Sequence, residues 1–319
     1  MSLIEQAAKR LEQLRQAGVE LPEDKPATEI PERGSPERTI EHASAPPLPP
    51  LPNVSTAVPA KPISAAQVST KRITLDLDAM AASGLLVPNQ SRNLLANEFR
   101  VIKRPLIANA MGKGSNPIQN GNLIMVTSAL PGEGKSFTAV NLAVSIAMEL
   151  DNTVMLVDAD VARPSVLTML GLPPAEGLLD VVDKDSLDIS EVLLHTNIEK
   201  LSILPSGTAH PRATELLASE AMIRLLDDVS KRYPDRIIVF DSPPLLLTTE
   251  ARALATHMGQ IVIVVQSGAT TQAAVREAIS TIESCPLKMM VLNQATQSAS
   301  DRYGYGYGYA YGYGYGNEK

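Results

Sequence analysis

The segment from residue 128 to residue 136 constrains the fold of this chain most strongly, because it has the form of a strand–loop–helix phosphate-binding motif. It reads Ser-Ala-Leu-Pro-Gly-Glu-Gly-Lys-Ser, so that from Ala129 a small residue and four intervening residues precede Gly-Lys-Ser. An apolar run at residues 123–126 precedes the motif, and a helix-forming stretch at residues 137–150 follows it. The context favours a nucleotide-binding loop over an ordinary Gly/Pro turn.

Each position of this loop has a chemical task. Gly132 and Gly134 allow a tight turn and bring backbone N–H groups against phosphate oxygens, and the start of the following helix adds the positive end of its dipole. Lys135 is expected to reach the β- and γ-phosphates, and the Ser136 hydroxyl to ligate Mg²⁺. The nucleotide-binding residues predicted in the loop are Pro131, Gly132, Glu133, Gly134, Lys135, Ser136 and Phe137.

Apolar segments of strand length recur along the second half of the chain. They lie at residues 123–126, 154–157, 201–204, 237–240, 261–265 and 289–292. Helical patterns between most of them lie at residues 136–150, 212–232, 249–258 and 270–283. Continuous apolar strands that alternate with helices are typical of a parallel sheet covered on both faces. We therefore predict a doubly wound α/β domain of the P-loop NTPase class at residues 121–298, with ligands outside the carboxyl ends of the strands.

The residues before this domain are predicted to form three segments. Residues 1–18 carry one apolar helical stripe that could pack on the protein's own body or on another chain, in preference to a membrane surface. Residues 19–70 are Pro-rich and read as a disordered or polyproline II linker, a spacer in preference to a ligand for a proline-recognising domain. Residues 71–120 read as a helical lead-in or oligomerisation segment, with patterns at 73–86 and 93–107, the second with a solvated charged face beside the core.

Composition narrows the cellular setting. A formal net charge of −7 argues against a nucleic-acid-binding body. The single cysteine, Cys285, suits a reducing compartment and is expected to be structural. No apolar run approaches the roughly 20 residues of a membrane-spanning helix, and the N-terminus lacks the basic and apolar regions of a signal peptide. We expect a cytoplasmic protein.

Aspartates follow two of the predicted strands where they end. Asp241 follows residues 237–240, which is the Walker B arrangement whose carboxylate holds Mg²⁺ directly or through water. Asp158 and Asp160 follow residues 154–157 and lie on the same side of an extended strand end. Mg²⁺ would relieve the repulsion between this pair and leave one carboxylate free to accept a hydroxyl proton. The alternative is that they only cap the turn before Pro164.

The predicted site therefore combines donor-binding, metal-binding and catalytic residues. Arg163 could neutralise the aspartates or contact phosphate, although a surface role is equally open. Asn293 follows the last strand, where this fold class often reads the adenine base, but it can equally be a turn residue. The predicted catalytic residues are Lys135, Asp158 and Asp160, and the predicted metal ligands are Ser136, Asp158, Asp160 and Asp241.

The C-terminal segment, residues 299–319, holds seven of the eight tyrosines, whereas tryptophan is absent. Glycine at nearly every second position predicts a flexible tail in which no branched neighbour hinders a tyrosine from entering a site. The last 17 residues span roughly 55 Å when extended, enough to reach a neighbouring subunit. A sticky Tyr/Gly tract without a catalytic link is the alternative. The predicted phosphate acceptors are Tyr303, Tyr305, Tyr307, Tyr309, Tyr311, Tyr313 and Tyr315.

Together these motifs resemble the bacterial tyrosine kinases of polysaccharide export, over about residue 93 to the C-terminus. The resemblance rests on the Walker A stretch at 131–136, the Walker A′ stretch at 158–164, the Walker B stretch at 241–244 and the tyrosine cluster. Within that family the chain looks most similar to the exosortase-associated tyrosine autokinases, which have a similar N-terminal helix and Pro-rich extension.

The resemblance implies ATP- and Mg²⁺-dependent autophosphorylation of the terminal tyrosines, on the same or a neighbouring subunit, which regulates exopolysaccharide polymerisation and export. It implies that Asp158 and Asp160 share Mg²⁺ handling and acceptor activation. The implied partners are other copies of the chain, a separate membrane-bound activator or chain-length protein, and a tyrosine phosphatase. Such an activator would recruit the protein to the inner face of the cytoplasmic membrane.

Two departures from the family pattern stand out. Members often carry Glu-x-x-Arg-x-x-Arg on the helix before the domain, where this chain has Asn97, Arg100 and Lys103. Glu98 is displaced by one residue, which rotates a helical side chain by about 100°, so ring assembly through the same contacts is in doubt. Arg163 also lies one residue farther from the aspartates than in the commoner form.

Two other functions remain open from the sequence. A partition- or division-site-type ATPase switch of the same fold carries an extra lysine five residues before the main one, where this chain has Leu130. The missing lysine counts against this switch. A non-catalytic ATP-binding regulator of polysaccharide export is the second alternative, and the aspartate pair speaks against it.

Overall fold

A computed structural model describes residues 71–88, 93–114, 117–184, 186–232 and 235–295. The predictions for residues 1–18, for the linker up to residue 70 and for the tyrosine segment at 299–319 lie outside the described residues. Within the described part of the chain, no helix is long and apolar enough to cross a membrane.

One mostly parallel sheet organises the described residues. Its strands run in the order β1-β4-β5-β3-β6-β2-β7-β8, and only the pairing of β4 with β5 is antiparallel. All six strands predicted from the apolar runs are present. The two-residue strands β1 and β4 were not predicted, because they are too short to show a hydrophobic pattern. The strands are β1 (Lys71–Arg72), β2 (Leu123–Ser128), β3 (Thr153–Asp158), β4 (Leu194–His195), β5 (Leu201–Leu204), β6 (Arg236–Asp241), β7 (Gln260–Gln266) and β8 (Leu287–Asn293).

Helices cover both faces of this sheet. Along β2, Leu123 and Met125 belong to the core on one face, while Ile124 and Val126 belong to the core on the other. This alternation between two buried layers confirms the predicted doubly wound α/β fold. The helices are α1 (Leu77–Ala82), α2 (Leu94–Ala110), α3 (Lys135–Ala147), α4 (Val166–Met169), α5 (Leu178–Asp183), α6 (Ile189–Val192), α7 (Ala213–Leu217), α8 (Glu220–Arg232), α9 (Thr249–Ala255) and α10 (Gln272–Ser280).

The helix predicted over residues 212–232 is two helices, α7 and α8. The break lies at Ser219, whose hydroxyl donates to the Leu216 carbonyl and accepts the Met222 backbone N–H at 3.3 Å. A serine in this position satisfies a free N–H at the start of the next helix. The apolar periodicity continues across the break and gave no sign of it.

The predicted solvated face of α2 is wrong for Lys103, which is buried. Its Nζ donates to the Ser145 carbonyl at 2.5 Å and pairs with Glu149 at 2.7 Å. The ammonium thus satisfies groups near the C-terminal end of α3, where a positive charge is favoured. Lys103 fixes α2 against α3 within the subunit and is unavailable for a contact with a neighbour.

Candidate active site

The carboxyl ends of three neighbouring strands converge on the loop after β2. The strands β3, β6 and β2 are adjacent in the sheet, and Asp158 at the end of β3 is in register with Asp241 at the end of β6. The Ala159 backbone N–H donates to the Asp241 carbonyl at 2.8 Å, which joins the two strand ends. The sheet therefore brings the predicted Walker A, A′ and B residues to one edge.

The phosphate loop needs glycine for its backbone. Gly132 and Gly134 have φ angles of +83° and +91°, in the left-handed region that side chains disfavour. A Cβ on Gly134 would also lie 2.1 Å from the Asn293 amide nitrogen. Gly134 occupies the N-cap of α3 and has no side chain to cap it. The first N–H groups of α3 are therefore left for an anion.

Glu133 shapes this loop from inside. Its carboxylate is buried, accepts the Leu130 backbone N–H at 2.6 Å and accepts a hydrogen bond from the Thr270 hydroxyl. Its side chain therefore supports the loop, and only its backbone is available for the predicted contact with nucleotide. Sequence reasoning missed Thr270, since nothing local links it to a residue 137 positions earlier.

Lys135 and Asp160 form the ion pair of the site. Lys135 Nζ lies 2.8 Å from Asp160 Oδ2 and 3.4 Å from the Ser136 hydroxyl. The other Asp160 oxygen accepts the Arg163 backbone N–H at 3.1 Å. The lysine predicted to bind phosphate is thus held by one of the two predicted catalytic carboxylates.

Asp158 contacts other partners than Asp160 does. Its Oδ2 accepts the backbone N–H groups of Ser165 and Val166 at 3.1 and 3.0 Å, and its Oδ1 is buried without a partner. Burial raises the pKa of Asp158 to about 6. The two backbone donors lower this pKa, and the negative charge of Asp160 makes a smaller contribution that raises it. Half of this carboxylate therefore holds the start of α4, beyond Pro164, and the other half is free.

Asp241 is the most deeply buried carboxyl group of the cluster. Ser165 Oγ lies 3.4 Å from its Oδ2, while its Oδ1 has no hydrogen-bond partner. Burial raises the pKa of Asp241 to about 7, although the Lys135 charge and the Ser136 hydroxyl lower it. A buried carboxylate oxygen without a donor is costly unless a ligand or cation completes it.

These residues fit a magnesium ion completed by other ligands. No group of three or more His, Cys, Asp or Glu side chains in the described ranges is arranged to hold a metal by itself. Mg²⁺ usually keeps several waters and takes one or two protein oxygens with phosphate oxygens. Asp241 has a free oxygen, and the Ser136 hydroxyl lies near its carboxyl group, which suits that mode.

A cavity of about 670 Å³ opens in front of the Lys135–Asp160 pair. The phosphate loop forms one wall, and residues 160–169 and 243–248 form the other. The predicted residue Arg163 lines the cavity, whereas Asn293 does not and instead donates to the Glu133 carbonyl at 2.9 Å. The lining residues are Pro131, Gly132, Gly134, Lys135, Ser136, Phe137, Asp160, Ala162, Arg163, Ser165, Met169, Pro243, Pro244, Leu247 and Thr248.

Comparison with known protein families and sequences agrees with this geometry. Residues 121–295 match the AAA domain family AAA_31. Tyrosine-protein kinase YwqD of Bacillus subtilis is 35% identical over 183 residues, which cover 57% of this chain and 76% of YwqD. Tyrosine-protein kinase CpsD of Streptococcus agalactiae is 29% identical over 57% of this chain and 79% of CpsD. The match to tyrosine-protein kinase wzc of Salmonella typhimurium, 28% identical over 56% of this chain, spans only 25% of that longer protein.

Solved structures show the same relationship. The chimerical protein CapA2B2 superposes with a TM-score of 0.57 at 28% identity, over 72% of this chain and 94% of CapA2B2. The kinase domain of the Escherichia coli tyrosine kinase ETK gives a TM-score of 0.52 at 28% identity, over 60% of this chain and 75% of that domain. The closer similarity to exosortase-associated members stays a prediction. The chain itself belongs to the family of P-loop bacterial tyrosine kinases.

Proposed function

We propose that this protein transfers the γ-phosphoryl group of ATP to tyrosines of its own C-terminal segment or that of a neighbouring copy. The observation that carries the proposal is the Lys135–Asp160 pair at the back of an open cavity, beside two carboxylates with unpaired oxygens. The tyrosine kinases among its relatives support the same chemistry. The cavity has room beside the phosphate loop for an acceptor side chain.

The donor half of the reaction uses the loop and the start of α3. Backbone N–H groups from Gly132 to Ser136 would bind the phosphate oxygens. Ser136 and Asp241 would hold Mg²⁺, whose positive charge would stabilise the charge that develops on the phosphate oxygens. Asp158 has a free oxygen buried close to Asp241, and it would help Ser136 and Asp241 to hold that ion.

The acceptor half of the reaction would use Asp160, the ion-pair partner of Lys135. When phosphate oxygens draw the Lys135 ammonium toward the donor, Asp160 loses its contact at 2.8 Å. The released carboxylate can then accept the proton of an incoming tyrosine hydroxyl. Binding of the donor would thereby uncover the base, and Arg163 at the cavity rim would face the transferred phosphate.

The accumulation of phosphate gives the reaction a regulatory output. Each phosphotyrosine adds about −1.5 to −2 charges, so seven of them add on the order of −10 to −14. We propose that an unmodified tail in a neighbour's site holds a homo-oligomer together, and that repulsion from the acidic site releases the phosphorylated tail. A tyrosine phosphatase would reset the cycle.

The proposed setting is the inner face of the cytoplasmic membrane. By its resemblance to the tyrosine kinases of polysaccharide export, the kinase would be recruited there by a separate membrane-bound activator. The process regulated would be exopolysaccharide polymerisation and export. ATP and Mg²⁺ are the proposed cofactors, and no nucleic-acid partner is proposed.

The test is mass spectrometry of the purified full chain after incubation with Mg²⁺ and ATP alone. Phosphate on the tyrosines between Tyr303 and Tyr315 is expected for the wild type and for Asp227→Ala, a change at an exposed helical ion pair. Asp160→Ala should greatly reduce it. Phosphotyrosine in a Lys135→Met protein would refute autophosphorylation at this site, and its absence from the wild type would favour the non-catalytic regulator.

A further inference from the structure

The two edge strands of the sheet differ in length and in the apolar side chains that they expose to solvent. At one edge lies β1, two residues long and composed of Lys71 and Arg72, which suits an edge that resists pairing. At the other edge lies β8, seven residues long, which pairs only with β7 among the described strands. Met290 and Leu292 of β8 are 61% and 63% exposed. Among the described residues, the β8 edge therefore keeps an apolar face and a row of backbone groups that no other strand pairs with.

These two side chains form the floor of a groove, which we call the edge groove. Its volume is about 490 Å³. Met289 and Val291, which alternate with Met290 and Leu292, pack on the opposite face against the core, so the exposed face is not a fraying end of the strand. The groove is lined by Val265 of β7, by Val275, Arg276 and Ile279 of α10, and by Met290 and Leu292.

We propose that the edge groove binds the C-terminal tyrosine segment of the same chain as an added strand. The segment comes after β8 in the chain, with Tyr303 ten residues after Asn293. Tyrosine at every second position from 303 to 315 places all seven rings on one face of an extended strand and Gly or Ala on the other. This period matches an edge strand, where backbone bonds give affinity and alternate side chains fill the groove.

The dimensions and chemistry of the groove suit this occupant. A returning antiparallel strand could pair along the seven residues of β8, about 23 Å, which accommodates about half of the 13 residues from 303 to 315. Tyrosine rings would cover Met290 and Leu292, and the Arg276 guanidinium could lie on a ring face. Docked tyrosines would be held at the sheet edge, with β7 and β8 between the added strand and β2, and this position would alternate with the neighbour's site in the proposed function.

The inference concerns binding and does not depend on phosphoryl transfer, so it is tested without nucleotide. Hydrogen–deuterium exchange of residues 287–293 is compared between the full wild-type chain and a full-length variant with serine at all seven tail tyrosines. Exchange in β8 should be about tenfold faster in the serine variant, because the added strand is lost. A Lys135→Met chain should keep the wild-type protection, which separates this inference from the kinase proposal.

A second measurement follows the tail through chymotrypsin cleavage at its tyrosines. In a Met290→Thr/Leu292→Thr chain, which keeps strand-forming residues, cleavage should be about tenfold faster than in the wild type. Leu150→Thr, at a residue 87% exposed outside the groove, is the matched control and should cleave like the wild type. Equal exchange of β8 with and without the tyrosines overturns the proposal. Protection that disappears on dilution also overturns it, because the occupant would then be a second copy.

Discussion

Two kinds of buried aspartate lie at the same edge of the sheet. Asp180 accepts the backbone N–H groups of Gly177 and Thr208 at 3.0 and 2.9 Å, and Lys184 lies 3.5 Å from its other oxygen. Burial alone would raise the pKa of Asp180, but these donors and the Lys184 charge hold it below its usual value. Asp241, in contrast, has a bare oxygen and a pKa raised to about 7.

The difference teaches that burial of a carboxylate does not mark a functional site by itself. The chain supplies Asp180 with the donors it needs, so this residue can serve the packing of α5 on the loop after β5. It leaves oxygens of Asp158 and Asp241 without donors beside a phosphate loop. Buried carboxylate oxygens without hydrogen-bond donors indicate a site that a ligand completes.

The largest expected effect comes from replacing the lysine that faces each kind of carboxylate. Lys135→Met should lower autophosphorylation at least about 100-fold, because no other described side chain bridges the loop and Asp160. Lys184→Met removes the cation that faces Asp180 and is the matched control, for which we expect near-wild-type activity. The measurement is the initial rate of phosphotyrosine formation in folded protein.

The next effect separates activity from stability. Asp241→Asn should lower the initial rate of phosphotyrosine formation about 100-fold. The same change should raise the free energy of unfolding, measured without ligand at pH 8, by about 1–3 kcal/mol, because it removes a buried unpaired charge. Asp180→Asn should do the opposite, with about 2 kcal/mol of stability lost through its hydrogen bonds and activity retained. Urea denaturation and initial rates check both, and a destabilised Asp241→Asn protein would contradict the comparison.

A smaller effect is expected from pH. The folded-state pKa values of Asp158 and Asp241 exceed the value of 3.8 expected for an unfolded chain. The folded protein therefore binds more protons between about pH 4 and 7, and the stability from these groups is lost as pH rises through their folded pKa values. Without ligand, these two groups should make the wild type about 3 kcal/mol more stable at pH 5.5 than at pH 8.

The control for this pH dependence is Asp241→Asn, in which the loss of stability between pH 5.5 and 8 should be smaller than in the wild type. Asp180 has the opposite sign, because its lowered pKa gives stability above pH 3.8 that is lost on acidification. Added Mg²⁺ and ATP should flatten or reverse the wild-type trend, since a cation favours the charged carboxylates. An identical slope in wild type and Asp241→Asn would show that Asp241 is not the source.

The smallest effect concerns a neutral contact. Asn293→Ala removes the hydrogen bond to the Glu133 carbonyl and should raise KM for ATP about threefold with little change in kcat. Gln294→Ala removes an exposed contact with the Gly132 carbonyl at 3.2 Å and should change KM less. Steady-state kinetics at varied ATP checks the pair, and a collapse of kcat in Asn293→Ala would assign this residue to catalysis instead.

Most of the fold could be predicted because its strands are continuous apolar runs and its ligand-binding edge follows from where those runs end. Asp158, Asp160 and Asp241 lie where that rule placed them. The rule could not separate their roles, since the turn of Asp158 toward Ser165 and Val166 depends on α4, a four-residue helix with no periodic signal.

Long-range pairing explains the remaining misses. The contact of Glu133 with Thr270 and that of Lys103 with Ser145 join residues far apart in sequence. Either charged side chain reads locally as exposed, because charged groups are rarely buried without a partner. Only the folded sheet, with α2 against α3 and β7 beside β2, brings those partners within reach.

The anchoring of β8 has a consequence for the kinetics of the proposed reaction. The contact of Asn293 with the Glu133 carbonyl ties the end of the last strand to the donor loop. A random coil of ten residues has a root-mean-square span of about 17 Å, and such a tether gives an effective concentration in the millimolar range. A tyrosine on such a tether would be favoured over a freely diffusing acceptor present well below that concentration. The choice between self and neighbour is then set by the geometry of the assembly, and not by how much protein the cell contains.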